Sequence, residues 1–195
     1  VVLYRSGRDI HIDDAGLDLP LDKFPASLVN TGKELALFDP SGKEIDRIAY
    51  EKAKVGIAWE RSETGFHLST DERGGTPGSA NSSPDDEPED PDRPDTPHKP
   101  GIPTDIIVLP NEIVFNELLP NPYPEGSEYI ELYNRSDRTL SLAGLSVATR
   151  KSDGTLSTHY PLSSIVSLVE PQDYVLLTKS MGGVSDFYLI SSPDA

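Results

Sequence analysis

Residues 112–134 read Glu-Ile-Val-Phe-Asn-Glu-Leu-Leu-Pro-Asn-Pro-Tyr-Pro-Glu-Gly-Ser-Glu-Tyr-Ile-Glu-Leu-Tyr-Asn, and their pattern decides the fold class. Two β-type runs, Ile113–Leu119 and Glu128–Tyr133, flank a turn dense in Pro, Asn and Gly. In the second run Tyr129, Glu131 and Tyr133 fall on one face, and Ile130 and Leu132 on the other. That alternation of period two belongs to a strand packed on one side. Asn134, Ser136 and Asp137 then supply side chains short enough to hydrogen-bond their own backbone and turn the chain.

The same grammar extends in both directions. Glu34–Phe38 and Glu44–Tyr50 are strand runs joined by Asp39-Pro40-Ser41-Gly42-Lys43, with Pro at the first central turn position and Gly where the chain re-enters the strand. Leu35, Leu37, Ile45 and Ile48 are core candidates. Val1–Tyr4, Gly56–Arg61, Gly65–Leu68, Thr139–Ala148, His159–Leu162, Ile165–Leu168 and Tyr174–Ser180 add further short β runs. Ser6–Asp9, Lys151–Gly154 and Pro171–Asp173 mark turns, Gly144 a bend or bulge, and residues 13–27 are irregular. No segment sustains a 3.6-residue period, and at most one helical turn is expected, near Leu162–Val166. Many short strands with regularly spaced turns imply an all-β sandwich or barrel.

Composition bounds the function. The 195 residues carry a formal net charge of −16, a field that repels phosphate backbones and anionic lipid. Nucleic acid and membrane insertion are therefore excluded as expectations, and no apolar run approaches the ~20 residues of a membrane span. With no cysteine, disulfides, thiolate metal sites and cysteine nucleophiles are ruled out. The chain opens without Met on a mid-strand pattern and ends at Ser191–Ala195, so it reads as a fragment of a longer polypeptide. Ser82–Pro103 changes character, to acidic residues and Pro. It is expected to be an extended, self-repelling linker, reaching on the order of 60 Å at ~3.1 Å per residue.

Candidate chemistry is thin. His11, His67, His98 and His159 lack metal-ligand spacing, no Gly-x-Ser-x-Gly elbow is present, and Gly74–Gly78 lacks the Lys-Ser/Thr of a phosphate loop. Asp85, Asp86, Glu87, Glu89 and Asp90 lack the glycine turn and fixed alternation of an EF-hand. The acidic group worth weighing is Glu117, Glu128 and Glu131, whose carboxylates could converge on calcium or act as acid and base. The alternative is that Glu117 and Glu131 take hydrogen bonds from loop amides and fix the sandwich end, with Asn116 and Asn134 doing the same at turns. The expectation is no catalytic, cofactor-binding or metal residue, no cofactor, and no enzyme activity. Trp59, Tyr123, Tyr129 and Tyr133 are the aromatic set a carbohydrate-binding face would need, although a lone Trp in such a strand is more often a core plug.

Val175-Leu176-Leu177-Thr178-Lys179-Ser180 resembles Val1-Val2-Leu3-Tyr4-Arg5-Ser6 position for position, as tandem copies of one β domain would produce. Asn116–Pro122, Glu128–Ser136 and Leu140–Leu145 then resemble the opening of a lamin tail domain, with Leu145 in the usual Trp place. Leu35–Tyr50, Trp59-Glu60-Arg61 and Gly75–Asn81 are similar to that family's closing part, so the order is swapped. The resemblance implies an immunoglobulin-like β-sandwich. Residues 1–82 would be the C-terminal part of one copy, 83–103 the acidic Pro-rich linker, and 104–195 the N-terminal part of the next.

Neither part alone should be stable, since each would expose an unpaired edge and half a core. They could complement one another within a chain, as in a circular permutant, or between chains as a strand-swapped dimer or array. A linker of this length adds little closure cost, which favours the intramolecular arrangement. The resemblance further implies a non-catalytic structural or adhesion module of a large secreted or cell-surface bacterial protein. Its partners would be protein or cell-surface polymer, with self-association through complementary half-domains. The alternatives are an accessory domain tethering a secreted nuclease- or phosphatase-type hydrolase, and a carbohydrate-binding module.

Overall fold

The computed structural model describes residues 2–4, 28–82, 108–162 and 168–178. The linker, residues 5–27, the expected helical turn beyond Leu162 and the segment after Thr178 lie outside the described residues. Among the described residues ten strands run in chain order: β1 (Val2–Tyr4), β2 (Lys33–Phe38), β3 (Glu44–Tyr50), β4 (Trp59–Ser62), β5 (Gly65–Leu68), β6 (Ile113–Leu119), β7 (Tyr129–Asn134), β8 (Ser146–Arg150), β9 (Tyr160–Pro161) and β10 (Tyr174–Thr178). Among the described residues no helix is long and apolar enough to cross a membrane.

Turn chemistry explains the hairpins. Asp39 Oδ1 accepts from the Ser41 amide (2.8 Å), the Ser41 hydroxyl (2.6 Å) and the Lys43 amide (2.9 Å), and Gly42 takes the left-handed conformation at φ 83°. Three donors on one carboxylate fix the register of β2 against β3, which pairs Leu35 with Ile48. Asp153 repeats the device between β8 and β9, accepting from the Thr155 amide and hydroxyl. The Thr139–Ala148 run is not one strand. Leu140 bridges Val169, the chain turns at Gly144 (φ 78°), and β8 starts only at Ser146.

Among the described residues all ladders are antiparallel, and these strands form a six-stranded sheet, β1-β10-β7-β6-β4-β5, and a four-stranded sheet, β3-β2-β8-β9. The two sheets face each other across one apolar core that includes Leu35, Leu37, Ile45 and Ile48 from one side and Phe115, Leu118, Ile130, Leu132, Val175 and Leu177 from the other. The fold is an all-β sandwich. Residues 1–82 supply β1–β5 and residues 104–195 supply β6–β10, and the pairings β1 with β10, β2 with β8 and β4 with β6 cross between them. Each sheet and the core therefore need both segments, which is why neither could bury its apolar face unaided.

A bulge in β6 sets which way its second half faces. Strict alternation from Ile113 would put Ile113, Phe115 and Glu117 on one face. The register instead shifts between Phe115 and Glu117, so Phe115 pairs Leu132 and Glu117 pairs Glu131. The extra residue, Asn116, lets Phe115 and Leu118 both enter the core while Glu117 turns to the opposite face.

Candidate functional site

Register alone assembles the site. Glu60 of β4 lies opposite Glu117 of β6, and Glu117 opposite Glu131 of β7. Residues directly opposite in an antiparallel ladder share a face, with Cβ atoms about 4.5–5.5 Å apart. Three carboxylates thus form a row across three neighbouring strands, on the face turned away from the core. His67 of β5, opposite Glu60, extends the row, and Leu176 of β10 closes its other end.

The row is sealed. Glu60, Glu117 and Glu131 each have 0% exposure. Residues 75–82 cross it as a strap whose amides point down at the carboxylates. The Thr76 amide donates to Glu117 (3.0 and 3.2 Å to its two oxygens), the Gly78 amide to Glu131 Oε2 (2.5 Å), and the Ser82 amide and hydroxyl to Glu60 Oε2 (2.7 Å each). Tyr129, buried beneath, donates its hydroxyl to Glu117, and Asn116 Nδ2 donates to Glu131 Oε1 at 2.7 Å. Asn81 and Asn116 join side chain to side chain, tying the strap to the bulge.

The strap's residue types follow from this contact. A Cβ on Gly75 would lie 2.4 Å from Glu117 Oε1 and 2.7 Å from the Tyr129 hydroxyl, so only glycine lets the backbone lie on the row. Pro77 has no N–H to orphan between the two donating amides. Gly78 sits at φ 78° and turns its amide to Glu131.

Buried neighbouring carboxylates disfavour one another's charged form. Burial, with the Glu131 and Glu60 carboxylates beside it, pushes the Glu117 carboxyl well above the usual carboxylate range. Burial pushes Glu131 up to about 8, against the opposing pull of the Gly78 amide and the Asn116 side chain. The Thr76 hydroxyl bridges two of these carboxylates. Thr76 Oγ1 lies 3.2 Å from Glu60 Oε1 and 3.3 Å from Glu117 Oε2, and one hydroxyl has one proton to give. Thr76 therefore donates to one of the two carboxylates at a time, or shares its proton between them.

A second polar group locks the sandwich end. Asp46 of β3 accepts from Arg61 Nη2 (2.6 Å) and from the Phe115 amide (2.7 Å), and Arg61 Nε donates to the Phe115 carbonyl (2.5 Å). Arg61 also lies over the Phe66 ring, 4.7 Å from its centroid. Burial raises the Asp46 carboxyl while the adjacent guanidinium opposes the shift.

Of the acidic group expected from sequence, Glu117 and Glu131 come together but Glu128 does not join them. It precedes β7 half-buried, and its carbonyl accepts from the Thr178 hydroxyl at 2.9 Å. Glu60 takes the third place. Alternation in Trp59-Glu60-Arg61-Ser62 shows that Glu60 faces away from Trp59, but its neighbours are set by a pairing across a long sequence gap. Asn134 Nδ2 donates to the carbonyls of Arg138, Val169 and Glu170, and its Oδ1 accepts from the amide and hydroxyl of Ser136.

The aromatic set does not share an exposed face. Trp59 packs on the core, Tyr129 is buried under the strap, Tyr133 stacks on Tyr174 at 4.6 Å, and Tyr123 is exposed against Gly56. His159 bonds Ser146 on the four-stranded sheet (3.0 Å), whereas His67 lies 3.9 Å from Glu60, and His11 and His98 lie outside the described residues. Among the described residues no group of three or more His, Cys, Asp or Glu is arranged to hold a metal ion. A pocket of about 280 Å³ lies away from the row, lined by Pro40, Val108, Ala143 and Leu145 among others.

No protein-family model, curated protein or solved structure matches the chain.

Proposed function

We propose that the chain is a non-catalytic structural or adhesion module, a lamin-tail-like, immunoglobulin-type sandwich within a larger secreted or cell-surface bacterial protein. The observation that carries this reading is the use made of the acidic row. All three carboxylates are shut from solvent and accept backbone amides of one strap. A general base or a calcium ligand needs an open coordination or proton-transfer direction, and these oxygens face strap donors instead. The row is a clamp that holds the chain's own exit segment, just ahead of the acidic Pro-rich stretch.

The lamin-tail resemblance gains support from placement. The stretches similar to that family's closing part, Trp59-Glu60-Arg61 and Gly75–Asn81, lie beside and over the stretch similar to its opening, Asn116–Leu119. The role inferred from this is mechanical and adhesive, with protein or cell-surface polymer as partner, and no chemistry on a substrate.

A thermal-shift titration tests the clamp. Melting temperature is expected to stay level up to about 5 mM calcium and after EDTA, because a ligand that binds only the native state must raise it. A calcium-dependent rise reversed by EDTA, and lost in Glu117→Gln, would replace the clamp with a metal site.

A further inference from the structure

The two look-alike segments are neighbours in space. β1 runs antiparallel to β10, with Val2 opposite Thr178, Leu3 opposite Leu177 and Tyr4 opposite Leu176. The sequence match aligns Val2 with Leu176, Leu3 with Leu177 and Tyr4 with Thr178. Corresponding residues therefore meet at the centre, and the flanking pairs exchange under a local two-fold through Leu3 and Leu177. β1 sits where a second β10 would sit. On its other side β10 is held by five register pairs to β7, from Tyr174 opposite Tyr133 to Thr178 opposite Tyr129. β1 has three pairs, all to β10, and is the end strand of its sheet among the described residues.

We propose that the outer edge of β10 is a self-recognition edge, for which the partner is the β10 of a second copy of this chain and β1 is the resident plug. When β1 is displaced, two copies of β10 pair antiparallel with Leu177 opposite Leu177, joining the two large sheets into one across a two-fold axis. The contact is isologous, so it closes at a dimer and does not propagate into a fibre. Specificity comes from the pattern that β1 imitates: the same backbone ladder, with Leu on the axis. Tethering gives β1 an effective concentration of millimolar order at this edge, so the intact chain stays monomeric at micromolar concentration. Each copy carries a formal charge of −16, so association strengthens as salt screens the repulsion.

The test removes the plug and reads the register. Neighbouring N–H groups in a strand point to opposite sides, so Val2→Pro with Leu3→Pro deletes whichever amide faces β10. Sedimentation equilibrium is expected to show self-association at least about tenfold tighter than in the natural chain, tightening with salt. The chain has no cysteine, so single cysteines report cleanly. On the double-proline background, Leu177→Cys is expected to cross-link under mild oxidation, since opposite Cβ atoms lie about 4.5–5.5 Å apart. Tyr174→Cys is expected not to, because its two-fold mate lies about 20 Å away.

A folded double-proline variant that stays monomeric at about 100 μM would overturn the proposal, as would equal cross-linking at both positions. Should that variant lose its circular-dichroism signature, the natural background reads the same equilibrium. There, faster dimer cross-linking through Leu177→Cys than through Tyr174→Cys supports the edge, and no difference between them sinks it.

Discussion

Replacing Glu131 with Gln is expected to stabilise the protein at alkaline pH, the reverse of the ordinary effect of deleting a buried, hydrogen-bonded side chain. Glu131 titrates at about 8 in the fold, against 4.5 for an ordinary glutamate, chiefly because it is buried. The folded state thus binds this proton more tightly than the unfolded chain does. The stability it confers is fully present below pH ~4.5 and is lost as the pH rises through about 8. At about 1.4 kcal/mol per tenfold change in proton affinity, the loss between pH 5 and pH 8 is roughly 3–4 kcal/mol. Glu117 is shifted the same way and steepens the slope. For a domain of this size, Tm should fall by on the order of 10 °C over that range.

In Glu131→Gln the introduced amide keeps an oxygen for the Gly78 N–H but turns its own NH2 toward Asn116 Nδ2, losing a hydrogen bond of about 1 kcal/mol. The variant should match the natural protein near pH 5 and exceed it by roughly 2–3 kcal/mol near pH 8. Urea denaturation followed by fluorescence of Trp59, the single tryptophan, measures both at each pH. Stability of the natural chain that stays level or rises from pH 5 to pH 8 would refute the reasoning. So would a Glu131→Gln variant that is the weaker protein at pH 8.

The other expectations rest on single contacts. Gly75→Ala presses a methyl against Glu117 and Tyr129 and should cost roughly 1–3 kcal/mol, read as a lower urea midpoint at unchanged slope. Arg61→Ala leaves the buried Asp46 without its cation and should cost roughly 3 kcal/mol, a loss that Asp46→Asn in the same chain should partly restore in a double-mutant cycle. Leu37→Ala empties the core between the sheets and should cost roughly 2–5 kcal/mol by calorimetry. On the acid side, Asp39, Asp71, Asp153 and Glu112 are held below their ordinary values by hydrogen bonds, so their contribution is present above the unfolded value and fades as pH falls through the folded one. Stability should therefore peak at pH ~4–4.5, measured as the maximum of Tm against pH.

Local chemistry made much of this protein legible in its sequence. Period-two alternation in Tyr129–Tyr133 separates core from outer face. Asp39-Pro40-Ser41-Gly42 sets a hairpin through bonds made within five residues of chain, and the lack of 3.6-residue periodicity leaves an all-β fold. The tertiary structure alone decided how those strands meet. One extra residue at Asn116 reverses the facing of everything after it in β6, and alternation counted from Ile113 cannot show where such a bulge falls. Glu60 reaches Glu117 and Glu131 only because β4 pairs with β6, a contact between segments on opposite sides of the acidic, Pro-rich stretch. A side chain's face is settled by its immediate neighbours, but the burial that raises a carboxyl's proton affinity depends on which distant backbone closes over it. Here that backbone is Gly75–Ser82, whose amides seal the acidic row.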